Sequence, residues 1–368
     1  MRVSKAVMKK IWCSFFVGAI HLSLVAAQAA PYPQSKVFAG VTWQWDCYQT
    51  AAPGSDLWPI TWGPDGDMYA AWGDGGGFGG SDTDGRASLG IAKIEGMPPS
   101  IRGVNINGGK DSLHVASFPK KGKTDGLLFY KDTLYATVNL QDGKWPRVMH
   151  ALEWSRDAGA TWTKADWSFP LGYGQFEPAK FINFGRDYSG VPRNLAGYIY
   201  LVGPSSADTP TGRGKSLYLA RVREEKLEQG DAIEFFGGVG TWHKPRWLHD
   251  FKSARPIFTD SNGVSPGTIS YDSGLKRYLL TCFHCGPGQL GVFDAHDPWG
   301  PWSTVAYYEN WGDMTSAGEG LNCEFPSKWM SKDGLSLWCV FAVYGDGAKV
   351  GIKAHDKFNL VKMTLNKR

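Results

Sequence analysis

Long amphipathic helical patterns are nearly absent from this chain of 368 residues, which excludes a helical bundle as its architecture. Only EEKLEQGDAIEFF, residues 224–236, suggests a helix. Elsewhere, short runs of β-branched and aromatic residues alternate with Gly, Pro, Asn and Asp. This alternation is typical of short strands joined by turns, and it predicts an all-β fold.

The chain also lacks a strong excess of one charge, with 39 Lys and Arg against 35 Asp and Glu. Four of the basic residues and none of the acids lie in the first thirty positions, so the remainder is formally neutral. A neutral chain does not carry the positive surface that nucleic acids select. We therefore expect no nucleic-acid partner.

The first thirty positions have the features of an export signal. Arg2, Lys5, Lys9 and Lys10 precede an apolar stretch, residues 11–27, and small residues follow at positions 27–29. A retained membrane anchor is the alternative, but the apolar stretch is interrupted by His, Ser and Gly. We predict a signal peptide over residues 1–29, a secreted or periplasmic protein, and no membrane anchor after cleavage.

Cysteines are few, and their number is odd once Cys13 is assigned to the signal peptide. In an oxidising compartment five cysteines predict disulfide bonds with one thiol left over. Cys323 and Cys339 would join neighbouring strands, and a bond from Cys47 would close the fold. The alternative is a structural zinc ion at TCFHCG, which supplies Cys282, His284 and Cys285.

A loose unit recurs five times: an entry strand, a strand after a turn, a strand of small residues and an outer strand. Turn sequences such as WGPDGDMY, YKDTLY, YDSGLKRY and MSKDGLSLW join its first two strands. Five such units predict a five-bladed β-propeller, with a pair of β-sandwiches as the alternative. We expect one monomeric domain over residues 30–368, with blades at about 56–100, 111–170, 175–235, 255–310 and 320–368.

Two glycine-containing segments bear on the predicted propeller fold and on where its functional residues lie. SRDAGATW, residues 155–162, matches the Asp box, a hairpin turn common in propellers, so Asp157 is expected to be structural. DGDMYAAWGDGGGFGGSDTDG, residues 65–85, predicts a strand over 68–72 that ends in glycines, where another backbone or a sugar can come close. Asp82 and Asp84 resemble the start of a calcium loop, but further ligands at that spacing are missing. No cofactor is expected to be required.

Several segments, in a fixed order, resemble the motifs of secreted DUF4185-like propeller proteins: SDLWPITWGPDGDMYAAWGDGGGF, SLGIAKIEG, GLKRYLL, DPWGPWSTV and FPSKWMSKDG. The resemblance spans roughly residues 43–365. Part of that group acts as endo-D-arabinanases, and more distant propellers include arabinanases, xylosidases and ulvan lyases. The resemblance implies degradation of a polysaccharide, and it implies catalytic roles for Asp56 and Asp74 in the first blade.

Hydrolysis of a glycosidic bond needs two carboxyl groups, one as proton donor and one as nucleophile or base. Inner strands of a propeller converge on one axis, so acids far apart in sequence can meet there. By placement, Asp56, Asp74, Glu177 and Glu324 are the catalytic candidates, while Asp125 fits a structural turn. Trp58 and Trp72 are candidates to stack on sugar rings. Retaining and inverting mechanisms both stay open.

Two other functions fit the same sequence. A polysaccharide lyase would need a His or Tyr base with cations for a uronate carboxylate, which TWHKPRWLHD supplies as His243, Lys244, Arg246 and His249, with Tyr271 nearby. A carbohydrate-binding propeller would keep the aromatic residues and need no acid pair. All three functions share a polysaccharide or oligosaccharide partner.

Overall fold

The protein, as a computed structural model, is described over residues 29–114, 122–140, 149–170, 174–178, 180–205, 214–265, 267–284, 286, 288–314, 318–347 and 351–368. The predicted signal peptide lies almost wholly outside these residues. The described strands form five antiparallel sheets arranged as a β-propeller, which confirms the predicted fold class. Within the described part of the chain, no helix is long and apolar enough to cross a membrane.

Four of the sheets follow the chain from the inside of the propeller outward. Blade 1 contains β2 (Ile60–Trp62), β3 (Met68–Gly73), β4 (Leu89–Met97) and β5 (Ser100–Asn107). Blade 2 contains β6 (Gly122–Tyr130), β7 (Thr133–Leu140), β8 (Met149–Ser155) and β9 (Thr163–Lys164). Blade 4 contains β16 (Gly267–Asp272), β17 (Arg277–Phe283), β18 (Leu290–Ala295) and β19 (Ser303–Tyr307).

Blade 3 is larger than its neighbours. It contains β10 (Lys180–Phe181), β11 (Tyr198–Gly203), β12 (Gly214–Arg223), β13 (Glu234–Val239) and β14 (Pro245–Leu248), and β15 (Phe258–Val264) also pairs with β12. The helix suggested for residues 224–236 is wrong. A single 3-10 turn, Glu224–Lys226, occupies its start, and β13 occupies its end. The end of the segment is a strand because β12 and β14, on either side of β13, form hydrogen bonds with its backbone.

Blade 5 is built from both ends of the described chain. Its strands β20 (Gly320–Glu324), β21 (Ser336–Val343) and β22 (Phe358–Lys367) are completed by β1 (Phe38–Ala51), which pairs with β22 on both sides of an irregularity between Gln44 and Gln49. The predicted blade ranges left β1 outside any blade. Backbone hydrogen bonds between β1 and β22 therefore close the ring, and they remove an edge that would otherwise be open to other chains.

The remaining short elements are single 3-10 turns, and these are Arg186–Tyr188, Thr241–His243, Phe251–Ser253, Trp311–Asp313 and Ser327–Trp329. The turns predicted between first and second strands join β2 to β3, β6 to β7 and β16 to β17. In the Asp box, the Ser155 hydroxyl accepts from Gly159 N at 2.7 Å, and Asp157 Oδ1 accepts from Thr161 N at 2.8 Å. Asp157 is thus engaged in holding a turn, as predicted.

The expected disulfide bonds are not formed among the described cysteines. Cys47, Cys282, Cys323 and Cys339 are all free thiols. Cys323 and Cys339 do lie on neighbouring strands, with their sulfur atoms 3.1 Å apart, but no bond joins them. The closure that had been expected from Cys47 is made by strand pairing instead.

Candidate active site

Antiparallel pairing brings the starts of the inner strands and the ends of the second strands to the same face of the propeller, which we call the entry face. In blade 1 the segment before β2 continues this pairing, because Asp56 and Gly73 exchange two backbone hydrogen bonds of 2.9 and 3.0 Å. Asp74 is the next residue after β3. The two aspartates chosen from the sequence therefore lie at adjoining strand ends on the entry face.

The glycines after β3 allow this close approach. A Cβ atom at Gly73 would lie 2.5 Å from Asp56 Oδ1 and 2.8 Å from the Lys123 side chain. One at Gly75 would lie 2.2 Å from the backbone oxygen of Gly54, and Gly75 has a φ of +63°. All three distances are shorter than ordinary contacts of a Cβ atom, and at Gly75 the obstacle is backbone. The glycine-rich segment is thus packed against the backbone that carries Asp56, as the sequence predicted.

Asp56 is a buried carboxyl group with only 4% of its surface exposed. The Tyr344 hydroxyl donates a 2.5 Å hydrogen bond to its Oδ2, while its Oδ1 has no partner among the described residues. Burial raises the pKa of Asp56 to about 7, and the charges of Asp74 and Asp356 add to this, against the opposing effects of Tyr344 and Lys123. Near neutral pH a large fraction of Asp56 is therefore protonated.

Asp74 has a different environment. Its carboxylate is hydrogen-bonded to the Lys123 ammonium group and lies 3.3 Å from Arg86. The same Lys123 ammonium donates to the backbone oxygen of Ser88 at 2.9 Å. Lys123 lies near the start of β6 in blade 2, but its side chain is held by blade 1. The site thus pairs one buried, largely protonated carboxyl group with one ion-paired carboxylate, a contrast that suits acid–base chemistry.

The sequence did not identify Lys123, Tyr344 or Asp356 as members of this site. Asp356 lies in the loop between β21 and β22, and its backbone oxygen accepts from Gly54 N at 2.8 Å. Burial raises the pKa of this third carboxyl group, and the neighbouring Asp74 contributes. The sequence did contain one indication for Tyr344. This residue follows β21, the second strand of blade 5, as Asp74 follows β3, the second strand of blade 1, and second strands end on the entry face.

Replacing Tyr344 with Phe should raise the pKa of Asp56 further above 7, because the hydroxyl hydrogen bond lowers that pKa in the folded protein. Titration of the carboxyl carbons by nuclear magnetic resonance would measure the change. Tyr135→Phe is the matched control, since it removes a hydroxyl bonded to Glu228 on a distant surface. An unchanged Asp56 pKa in Tyr344→Phe would contradict the assigned hydrogen bond.

Glu324 lies in the buried interior near the axis rather than beside Asp56. Burial raises its pKa to about 7, and Lys180 opposes that shift. The Lys180 ammonium donates to Asn322 Oδ1 at 3.0 Å, and Asn322 in turn donates to the backbone oxygen of Trp58 at 2.9 Å. This network ties blades 1, 3 and 5 together, and the adjoining cavity holds only about 10 Å³, room for about one water. Glu324 therefore belongs to a network that joins blades, and this network is separate from the contacts around Asp56.

Glu177 and Asp125 both lie near the starts of inner strands. Glu177 precedes β10, where its backbone N donates to Pro204 O at 3.0 Å, and it is partly exposed. Asp125 accepts a hydrogen bond from Asn139 on the neighbouring strand, in keeping with a structural role. The structure thus places Asp56 and Asp74 at adjoining strand ends of blade 1. Glu177 lies before the inner strand of blade 3, which starts on the same entry face.

Trp58 and Trp72, which were expected to stack on sugar rings, are core residues in the structure. Both side chains are fully buried, with their ring centroids 5.6 Å apart and nearly parallel. Phe78 and Phe358 pack on the outside of Trp58 at 5.4 and 5.0 Å. The two indoles belong to the core beneath the acid pair, where no substrate ring can reach them.

The basic segment considered for a lyase lies on the outer hairpin of blade 3, not at the axis. Arg246 donates to Gly237 O at 2.9 Å, and His249 lies 3.3 Å from Ile233 O, both within that hairpin. His243 belongs to the 3-10 turn at its tip. Tyr271 lies in β16, one residue before its end, and packs between Phe184 and Tyr278. Arg246 and His249 are thus held at the outer hairpin of blade 3, while Tyr271 lies in the inner strand of blade 4.

The candidate metal ligands are engaged elsewhere. His284 Nε2 lies 3.0 Å from Tyr308 O, and its ring stacks on Tyr307; Cys282 is buried in β17, and Cys285 lies outside the described residues. Asp82 and Asp84 of the suggested calcium loop form ion pairs with Arg86 and Lys110. Among the described residues, no group of three or more His, Cys, Asp or Glu could hold a metal ion.

The fold and the paired carboxyl groups define a five-bladed β-propeller with an acidic site on its entry face. The chain belongs to the family described as a domain of unknown function, DUF4185, whose model matches residues 121–318, more than half of the chain. This match confirms the resemblance drawn from the sequence motifs. No curated protein matches the chain in sequence.

Solved structures share the fold at low sequence identity. A candidate hydrolase from Bacteroides ovatus is 12% identical, with a TM-score of 0.51 and coverage of 84% of this chain and 85% of that chain. A GH43_1 enzyme from Xanthomonas citri is 11% identical over 84% of this chain and 87% of that chain, with a TM-score of 0.47. The similarity to the Bacteroides ovatus protein shows a shared fold and does not identify the reaction.

Proposed function

We propose that the protein is a glycoside hydrolase that cleaves a polysaccharide with Asp56 as proton donor and Asp74 as nucleophile or base. The observation that carries the proposal is the contrast between the two carboxyl groups. Asp56 is buried with a pKa of about 7, and Asp74 is ion-paired with Lys123 and Arg86 at the adjoining strand end. Hydrolysis requires one protonated and one ionised carboxyl group across the scissile bond.

In the proposed reaction, the Asp56 proton passes to the leaving glycosidic oxygen as the bond from that oxygen to the anomeric carbon breaks. Oδ1 suits this transfer, because Oδ2 already accepts from Tyr344 and Oδ1 lacks a protein partner in the described chain. Asp74 either bonds to the anomeric carbon or removes a proton from the water that attacks it. Lys123 and Arg86 position the Asp74 carboxylate for either role.

The positions of the other candidates support hydrolysis over β-elimination. A lyase needs a base and a cation around one uronate carboxylate, yet Arg246 and His249 are bonded within the outer hairpin of blade 3. The signal-like residues 1–29 support the further proposal that the protein is exported, where extracellular polysaccharides are available.

The test is a panel of polysaccharides that includes D-arabinan, arabinan, xylan and ulvan. New reducing ends should form on a neutral polymer without the ultraviolet absorbance of unsaturated uronates. Absorbance that rises together with the reducing ends would instead indicate a lyase and overturn the proposal. Binding of a polymer with neither signal would also overturn it, and would identify a carbohydrate-binding propeller.

A further inference from the structure

A second feature of the entry side is an aromatic groove where blades 4 and 5 meet. It has a volume of about 290 Å³, close to the lower end for ligand sites. Its lining combines aromatic rings with two short polar side chains and includes no Lys, Arg or His among the described residues: Trp43, Trp45, Tyr308, Asn310, Trp311 and Asp313.

The aromatic part of the groove is held rigidly. Trp43 and Trp45 lie two residues apart on β1, on the same side of the strand, with ring centroids 6.3 Å apart and planes inclined by 28°. The Trp43 indole donates to the Tyr308 hydroxyl at 3.2 Å, and Trp45 packs on Trp311 at 5.3 Å. Both β1 tryptophans remain partly exposed, unlike Trp58 and Trp72. Rings fixed in this way offer a flat apolar platform to the C–H face of a sugar.

One polar group of the groove, the Trp311 indole N–H, lacks an acceptor among the described residues. Trp311 is 1% exposed, and its indole N–H has no acceptor in the part of the chain that is described. A buried donor without a partner is costly, which points to an oxygen supplied from outside the protein. At the rim, Asn310 donates to Asp313 Oδ1 at 3.1 Å, so the pair presents further amide and carboxylate groups. These groups match sugar hydroxyls, which donate and accept.

The groove is connected to the acid pair through one loop. Met314, next to its lining, pairs with Gly347 in the loop after β21. That loop begins at Tyr344, which binds Asp56, and it carries His355, whose backbone N donates to Asp346 Oδ1 at 3.1 Å. A chain lying along this loop would reach from the groove to Asp56.

We propose that the groove is a binding site for a neutral polysaccharide chain, whose sugar rings stack on Trp43 and Trp45. The absence of cations from the described lining, together with the Asp313 carboxylate, disfavours a polymer of uronic acids. The placement of the groove along the loop to Asp56 makes it a distal subsite, and this part of the inference rests on the proposed hydrolase function.

The test is affinity electrophoresis in gels that contain arabinan, xylan, β-1,3-galactan or ulvan. It uses the Asp74→Asn background, which stops turnover without altering the groove. Trp45→Ala removes the platform, and the double variant Asn310→Ala with Asp313→Ala removes the rim groups but keeps the aromatic packing. Trp242→Ala is the matched control, because this tryptophan is 89% exposed on the distant hairpin of blade 3.

We expect at least one neutral polysaccharide to retard the parent, and both groove variants to weaken binding at least tenfold, with Trp242→Ala unchanged. If Trp45→Ala fails to fold by circular dichroism, the double variant decides. The proposed groove site is overturned if only ulvan retards the protein, if no polymer does, or if parent and variants are retarded equally. Reducing-end release, measured with Asp74 intact, separates the two proposals. Cleavage by that protein, with binding unaltered in the groove variants, removes the groove proposal only, and groove-dependent binding without cleavage removes the hydrolase proposal only.

Discussion

Replacing Asp56 with Asn should reduce polysaccharide hydrolysis by about a hundredfold to ten-thousandfold, the usual contribution of a positioned general acid. Asn keeps the shape of the side chain and can still accept a hydrogen bond from Tyr344, but it has no proton of suitable acidity to give to the leaving oxygen. Release of reducing ends, with the folded state checked by thermal unfolding, measures the loss. Asp231→Asn is the control, because that acid is exposed and its ion-pair partner among the described residues is Lys226, at 3.6 Å.

If Asp56 is the proton donor, the pH dependence of hydrolysis by the unmodified protein should have a matching sign. Asp56 has a pKa of about 7, so it is protonated and able to donate below that value. As pH rises above about 7, kcat/KM should therefore fall, approaching tenfold for each further pH unit. Activity that increases through this range would contradict the role of proton donor and would make Asp56 a base. Retention of most activity in Asp56→Asn would remove it from the chemistry.

A second large effect is expected at Glu153, outside the candidate site. This residue of β8 is 0% exposed, and neither carboxyl oxygen has a hydrogen-bond partner among the described residues. Burial raises its pKa to about 7, while Lys164 on the neighbouring strand opposes the shift. Glu153→Gln should leave the free energy of unfolding nearly unchanged at pH 4 and raise it at pH 8.

The sign follows from proton binding in the two states. Below the ordinary pKa of 4.5, Glu153 is protonated in both the folded and the unfolded chain. Between 4.5 and about 7 the unfolded chain ionises first, so stability falls as pH rises, and the loss is complete above about 7. The shift corresponds to a loss on the order of 3 kcal/mol at pH 8, which Gln avoids because it cannot ionise.

Urea unfolding at pH 4 and pH 8 would measure this difference, with the exposed Glu225→Gln as control. Since Asp56 and Glu324 also have raised pKa values, the unmodified protein should lose stability over the same range for several reasons. Only the difference between variant and unmodified protein isolates Glu153. An equal difference at both pH values would show that packing, not ionisation, decides the effect.

Local features of this fold were predictable, and features that depend on distant pairing were not. The turn between β2 and β3 is encoded by neighbouring residues, and so is the strand that ends at Gly73. The pairing of β1 with β22 joins residues more than 300 positions apart, such as Phe38 and Lys367, and no short pattern announces it. The ring closure was therefore missed, although the blade count was right.

The same limit applies to the candidate site. Asp56 and Asp74 could be chosen because both belong to one blade and their positions relative to its strands can be followed in the sequence. Tyr344 and Asp356 reach them from blade 5, and only the closed ring brings these residues together. Burial was the other unknown: sequence marks Trp58 and Trp45 alike as aromatic strand residues, while the structure buries the first and partly exposes the second.

The closure by β1 also imposes an order on assembly. Blades 1, 2 and 4 can each form from one continuous segment, hairpin by hairpin, as the chain emerges. Blade 5 must wait until β22 is made, and during that time β1 keeps an unpaired edge and exposed tryptophans. The residues of the groove and the acid site come from both sides of this closure, so both features are complete only in molecules whose synthesis has run to β22.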